Sequence, residues 1–273
     1  MIGPERRCKC DTGAMMYEDV FYEKPFLKEV IARIDFVAPL EGAEKSLPQK
    51  LAKQLSDRFP IKEPMDAIAQ ELQVTAGEVK HRKTQFRQWN FFGREREKQL
   101  SLAPSFILIT YKQYTTFEET KEEFSKVVNA LEIAFPDVRA ARFGLRYINS
   151  IEDVQLTSPT DWGAYIARDL LGTMAFFAQP ERLTRLIQVT ELKHGDLDMR
   201  FQFGMPNPDY PALIKRPQFV LDLDGYVRTA HDVTQSLRYM DQAHEQIQDL
   251  FERSITRRLR EQMNVRPSTP VQE

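Results

Sequence analysis

Apolar and polar residues alternate between Leu27 and Val37. Val30, Ala32, Ile34 and Phe36 fall on one face, and Arg33 and Asp35 on the other. This is the spacing of a strand with one buried face. The same reasoning predicts strands over 84–92, 98–103, 106–114 and 138–148, and again over 183–192, 197–203 and 218–227. Gly93-Arg94-Glu95, Pro104-Ser105 and His194-Gly195-Asp196 supply turns between them. Helical spacing takes over at two places. Thr116 is a candidate N-cap with Glu119 three residues on, and Phe117, Phe124, Val127, Val128, Leu131 and Phe135 mark one face until Pro136. Asp232 with Gln235 offers a second start. Val233, Leu237, Met240, His244, Ile247, Phe251, Ile255 and Leu259 then predict one long unbroken helix. Shorter helices are expected from Pro48 to near Arg58 and over 161–177, the latter interrupted near Gly172. Residues 61–80 show no clear period and admit a further short helix.

In each part of the chain three strands precede one long helix. The pattern predicts an α+β fold of two halves, each an antiparallel β-meander followed by a long packing helix. The polar segment 149–160 has linker composition and separates an N-terminal half (17–150) from a C-terminal half (151–263). Residues 1–16 are expected to be a disordered extension and 264–273 a disordered tail. Met15 and Met16 offer an alternative start, which would make 1–14 an addition.

Charge narrows the function classes. The 273 residues carry 38 Lys and Arg against 40 Asp and Glu, a net charge of -2, so no global basic excess advertises nucleic-acid or acidic-lipid binding. No run approaches the ~20 apolar residues that span a bilayer, and the start MIGPERRCKC lacks the core of a secretory signal, so a cytoplasmic location is expected. Cys8 and Cys10 have no second pair, and the four histidines lack ligand spacing, so no metal is expected. Asp222-Leu-Asp224-Gly225 has two acids of a calcium loop but neither its third acid nor its closing glutamate. Lone glycines and the absence of G-x-S-x-G and H-E-x-x-H leave no cofactor or catalytic motif, so no cofactor is expected.

Three segments together carry a likeness. They are Tyr22-Glu-Lys-Pro25-Phe-Leu-Lys-Glu29-Val30, Arg142-Phe-Gly144-Leu-Arg146-Tyr147-Ile-Asn149 and Ala243-His244-Glu-Gln-Ile247-Gln-Asp-Leu-Phe251-Glu-Arg-Ser-Ile255-Thr256. In this order they resemble a family of prokaryotic proteins, slightly shorter than this chain, of sporadic distribution and uncharacterised function. The likeness runs from about residue 17 onward. Phe26 departs from it, standing where the family more often has a second proline. The family carries no catalytic residues over. Its sporadic distribution implies mobile genes, such as defence or toxin–antitoxin islands.

The residues themselves offer three candidate sites. His244 lies within an apolar helical stripe, where an imidazole serves as a base or a charge switch, or as a hydrogen-bonded core residue. Arg146, Tyr147 and Asn149 end a strand. Arg146 can clamp a carboxylate or phosphate, or pair with an acid on a neighbouring element. Lys80-His81-Arg82-Lys83, followed by Phe86, Arg87 and Trp89, sets basic groups beside stackable rings, either for single-stranded nucleic acid or as the two faces of an ordinary strand. Arginines 253, 257, 258 and 260 complement the dipole at the end of the last helix. The reading these features favour is a non-enzymatic binding or interaction protein with a protein partner or a second copy of itself. A nucleic-acid module and a small-ligand sensor are the alternatives.

Overall fold

The described residues of the computed structural model are 8–9, 15–16, 20–75, 78–152, 154, 156, 159–212, 214 and 217–267; side chains are described over 21–67, 86–152, 154, 156, 161–212, 214 and 217–264. The strands are β1 (Cys8–Lys9), β2 (Met15–Met16), β3 (Val20–Tyr22), β4 (Leu27–Phe36), β5 (Ile61–Thr75), β6 (Glu78–Phe92), β7 (Lys98–Ala103), β8 (Phe106–Tyr111), β9 (Arg139–Ile151), β10 (Leu186–His194), β11 (Leu197–Met205), β12 (Phe219–Val227), β13 (His231–Asp232) and β14 (Val265–Pro267). The helices are α1 (Gln49–Gln54), α2 (Phe117–Ala134), α3 (Gly172–Phe176), α4 (Ser236–Ser254) and α5 (Arg257–Gln262). One ten-stranded sheet has the order β10-β11-β12-β9-β4-β8-β7-β6-β5, with β13 also on β9, while β1 pairs β2 and β14 pairs β3. The chain is thus α+β on an antiparallel sheet.

By its contacts the chain divides into two units. One holds residues 1–28, 147–225 and 242–273, and the other holds 29–146 and 226–241. In the second unit the expected alternation is realised. Val30, Ala32 and Ile34 are fully buried, as are Leu100 and Ile109 of β7 and β8. Helix α2 lies on this face through Phe124, Val127, Val128 and Leu131, and the rings of Phe124 and Phe143 meet at 5.7 Å. Each such side chain contributes about 1.5–3 kcal/mol on burial. Thr116 caps α2 as expected, accepting from the Glu119 backbone N–H, while the Glu119 carboxylate accepts from the Thr115 hydroxyl.

In the first unit the core face of β11 and β12 carries Met199, Phe219, Leu221 and Leu223. Gly225 lies on that face. A Cβ built on it would stand 2.9 Å from both Ala243 Cβ and Met199 Sδ. Two residues without bulk, Gly225 and Ala243, set how near α4 comes to β12. The β10–β11 hairpin turns at Gly195, whose φ of +61° suits a two-residue loop with a positive first dihedral.

Three expected elements differ. Residues 61–75 form a long strand rather than a helix, paired in register with β6 from Ile61↔Phe92 to Thr75↔Glu78. Ala, Glu and Gln in this stretch favour helix locally, but a fifteen-residue ladder outweighs a propensity of a few tenths of a kcal/mol per residue. Pro64 is tolerated because β5 ends the sheet order and has an unpaired side. The long final helix is broken at Ile255-Thr256. There the Thr256 N–H donates to the Tyr165 carbonyl (2.9 Å), the Ala167 N–H donates to the Ser254 carbonyl (2.8 Å), and Thr256 starts α5 as its N-cap. The same crossing splits the helix expected over 161–177 into 3-10 turns at Pro159–Ala164 and Arg168–Leu171 followed by α3. At the other end Asp232 makes no side-chain cap. It pairs with Arg139 in β9 instead, and a 3-10 turn (Val233–Gln235) opens the helix. Much of the expected terminal extension and tail, residues 1–7, 10–14 and 268–273, lies outside the described residues.

Replacing Gly225 by valine forces two methyl groups into occupied space. We expect Gly225→Val to lose about 1–3 kcal/mol in urea unfolding. Unchanged stability would mean that α4 is free to shift away from β12.

Candidate functional site

Tyr147 and Asn149 sit two apart on β9 and therefore share a face, as alternation requires. His244 comes to that face from α4. The Tyr147 hydroxyl is 3.1 Å from His244 Nδ1, with ring centroids 5.9 Å apart, and Asn149 Nδ2 donates to the Leu221 carbonyl at 3.4 Å. Tyr147, His244 and Asn149 are only 7, 8 and 5% exposed. The structure thus joins two of the sequence candidates into an interior hydrogen-bonded group, the core alternative for His244. Its chemistry is to satisfy polar atoms between helix and sheet. Arg146 points to the opposite face from Tyr147. It is half-buried and engaged by neighbouring groups.

The basic–aromatic segment separates on folding. Arg87 Nε donates to Asp66 Oδ1 at 3.0 Å, and the Trp89 indole N–H donates to the Ala43 carbonyl at 2.8 Å. Their own contact is loose, with the guanidinium 5.8 Å from the indole centroid. Arg82 occupies the register position opposite Glu71, and its side chain lies outside the described ones.

A different array of arginines and rings is assembled on the second unit's other sheet face. Arg33 stacks over Phe106 (4.3 Å) and donates from Nε to Asp35 (2.8 Å). Arg142 lies 3.6 Å from Asp35 and 4.9 Å over the Tyr226 ring. Arg228 stacks on the same ring at 4.7 Å and donates to its hydroxyl at 3.0 Å. Gly144 makes room, since a Cβ there would meet the Arg142 guanidinium at 2.8 Å. The Arg33 and Arg142 side chains are 39 and 26% exposed, so the row reaches solvent. Asp35 lies between the Arg33 and Arg142 guanidinia, and the Tyr226 ring lies between those of Arg142 and Arg228. A further signal was present in the sequence, namely charged residues at alternating strand positions, but nothing in the chain order links residues 33, 142 and 228.

Two buried charge networks complete the inventory. The Glu252 carboxylate, 1% exposed, accepts from the Tyr22 hydroxyl (2.7 Å) and from Arg260 Nε (2.8 Å), and a second Arg260 nitrogen donates to the Glu252 carbonyl. This ties β3 to the end of α4 and to α5. Burial first, and then the Glu252 charge, push the Tyr22 phenol far above its ordinary value. In the other unit Lys98 pairs with the buried Glu123, and the Tyr111 hydroxyl beside them is without a hydrogen bond of good geometry among the described residues. Desolvation and then the Glu123 charge raise the Tyr111 phenol as well. Among the described residues no group of three or more His, Cys, Asp or Glu can hold a metal ion, and no helix is long and apolar enough to cross a membrane.

No family model and no curated protein matches the chain.

Because Tyr22 is held protonated by the fold, the unfolded chain releases its proton first as pH rises. The stabilisation from Tyr22 is complete below the ordinary phenol pKa and is lost above it, at no more than about 1.4 kcal/mol per pH unit. The stability gap between wild type and Tyr22→Phe should stay constant up to about pH 9 and shrink from about pH 10 upward in urea titrations. A gap independent of pH would show that the phenol is solvated.

Proposed function

We propose that the protein is a non-enzymatic, cytoplasmic binding protein, an accessory or regulatory subunit of a bacterial defence or toxin–antitoxin-like system. The system rests on the resemblance of the three sequence segments. The binding role rests on the guanidinium row. Arginines held flat against rings and a shared carboxylate have lost much of their rotamer freedom, so docking a partner costs less entropy. Guanidinia that reach solvent suit carboxylates on the surface of a protein partner.

Single-stranded nucleic acid is the second reading. The same row supports it, because guanidinium planes stack on bases and pair with phosphates. We also propose that the fold comprises two meander-and-helix halves. Supporting this, β6, β7 and β8 pair in sequence and run into α2, and β10, β11 and β12 neighbour one another and run into α4. The boundary proposed between the halves remains segment 149–160.

Native mass spectrometry of protein purified from its own host, with the 260/280 nm absorbance ratio of the same peak, tests the assignment against an Arg142→Ala/Arg228→Glu variant. A polypeptide partner carried by the wild type and lost from the variant is the expected outcome. Attached nucleic acid lost from the variant would put the second reading first. A partner retained equally by both would overturn the row as the docking surface, and turnover of a substrate by the protein alone would overturn the non-enzymatic assignment.

A further inference from the structure

Where α4 breaks, the chain segment around Tyr165 is fixed to it from several sides. Besides the two backbone bonds at Ser254 and Thr256, the Thr256 hydroxyl donates to the Ala164 carbonyl at 2.7 Å, and Ile166 bridges to Ile255. Beneath this crossing Trp162 is fully buried, with its ring 5.3 Å from Phe219 and 6.3 Å from Tyr165. The rim is therefore built on the core and held by main-chain bonds. Beside it opens a groove of about 650 Å³, within the size range of small-molecule sites.

The groove wall has two characters. Leu171, Met174 and the side of Tyr165 give it an apolar floor. Arg168 and Arg258, both exposed, line it together with Asp161. The Arg258 guanidinium is held 4.8 Å over the Tyr165 ring. Asp161 has an interaction of its own. Among the described residues Arg168 and Arg258 form no ion pair, whereas Arg253, Arg257 and Arg260 of the same unit each pair with a carboxylate. Two unneutralised guanidinia facing one concavity are ready donors for a planar or tetrahedral oxyanion.

We infer that this groove binds a small organic anion, with a phosphate or carboxylate head held by Arg168 and Arg258 and an apolar body laid on Leu171, Met174 and Tyr165. The ligand is a single molecule of metabolite size, distinct from the macromolecular partner of the guanidinium row. The two sites share no residue, so either proposal can fail alone.

Isothermal titration with phenyl phosphate, benzoate and uncharged benzyl alcohol tests the inference. The indole fluorescence of Trp162 is a second readout, taken in a Trp89→Phe background because Trp89 is the other tryptophan of the chain. Saturable binding of at least one anion but not of the alcohol is expected, and comparison of the two anions identifies the preferred head. Arg168→Gln and Arg258→Gln should each weaken binding about tenfold, the loss of roughly one charge-assisted hydrogen bond. Both positions are exposed, so the variants should retain wild-type near-ultraviolet circular dichroism. No saturable signal up to about 10 mM of either anion, equal binding of the alcohol, or unchanged affinity in the double variant would overturn the proposal.

Discussion

Helix α4 can lie on β12 only where the strand presents no side chain. Gly225 and Ala243 meet there at a separation that leaves no room for a methyl group. That approach brings His244 to Tyr147, and it carries the end of the helix to where Glu252 can take up Tyr22 and Arg260. Interiors are packed to crystal density, so a displacement at one such contact is felt by its neighbours. The polar groups behind the contact are consequences of how near the helix comes.

The buried charges have a related logic. Removing a carboxylate from water is costly, and the cost is offset only when every oxygen finds a donor. Glu252 meets this condition with a phenol, a guanidinium and the marginal Gln248 contact. Glu123 is held by Lys98, whose ammonium also sits 5.1 Å over the Phe59 ring. Both networks join elements distant in sequence, so they act as registry devices for segments that local propensity leaves free. They occupy interior positions, whereas the arginines of the sheet face and of the groove reach solvent. The difference in surroundings separates groups spent on the fold from groups available to a partner.

The same residue type therefore plays opposite parts. Arg87 and Arg260 are committed to Asp66 and Glu252. Arg142 and Arg228 are shared between a ring and other partners and remain partly in water. Arg258 rests on a ring alone among its described contacts. Counting arginines along the chain cannot sort these cases, because the partner in each instance comes from another element.

Strand alternation around Val30, Ala32, Ile34 and Phe36, the α2 face from Phe124 to Leu131, its Thr116 cap and the turn at Gly195 were all legible in the sequence. Each rests on interactions within a few residues. The strand at 61–75 was not legible, since its identity comes from a ladder with 78–92 that overrides helix-favouring composition. Nor was the break at Ile255-Thr256, whose apolar stripe continues unaltered. There the 164–167 backbone supplies the hydrogen bonds that end the helix. The candidate residues divided in the same way. The strand's period of two put Tyr147 and Asn149 on one face, but only the packing of α4 placed His244 beside them. The arginine row and the groove could not be assembled along the chain, because their members are joined by strand pairing and chain crossing. The strand and helix periods, the Thr116 cap and the turn at Gly195 are local and could be read along the chain. The tertiary structure decided which charged groups are neutralised and which face solvent, because that depends on distances between residues far apart in the chain.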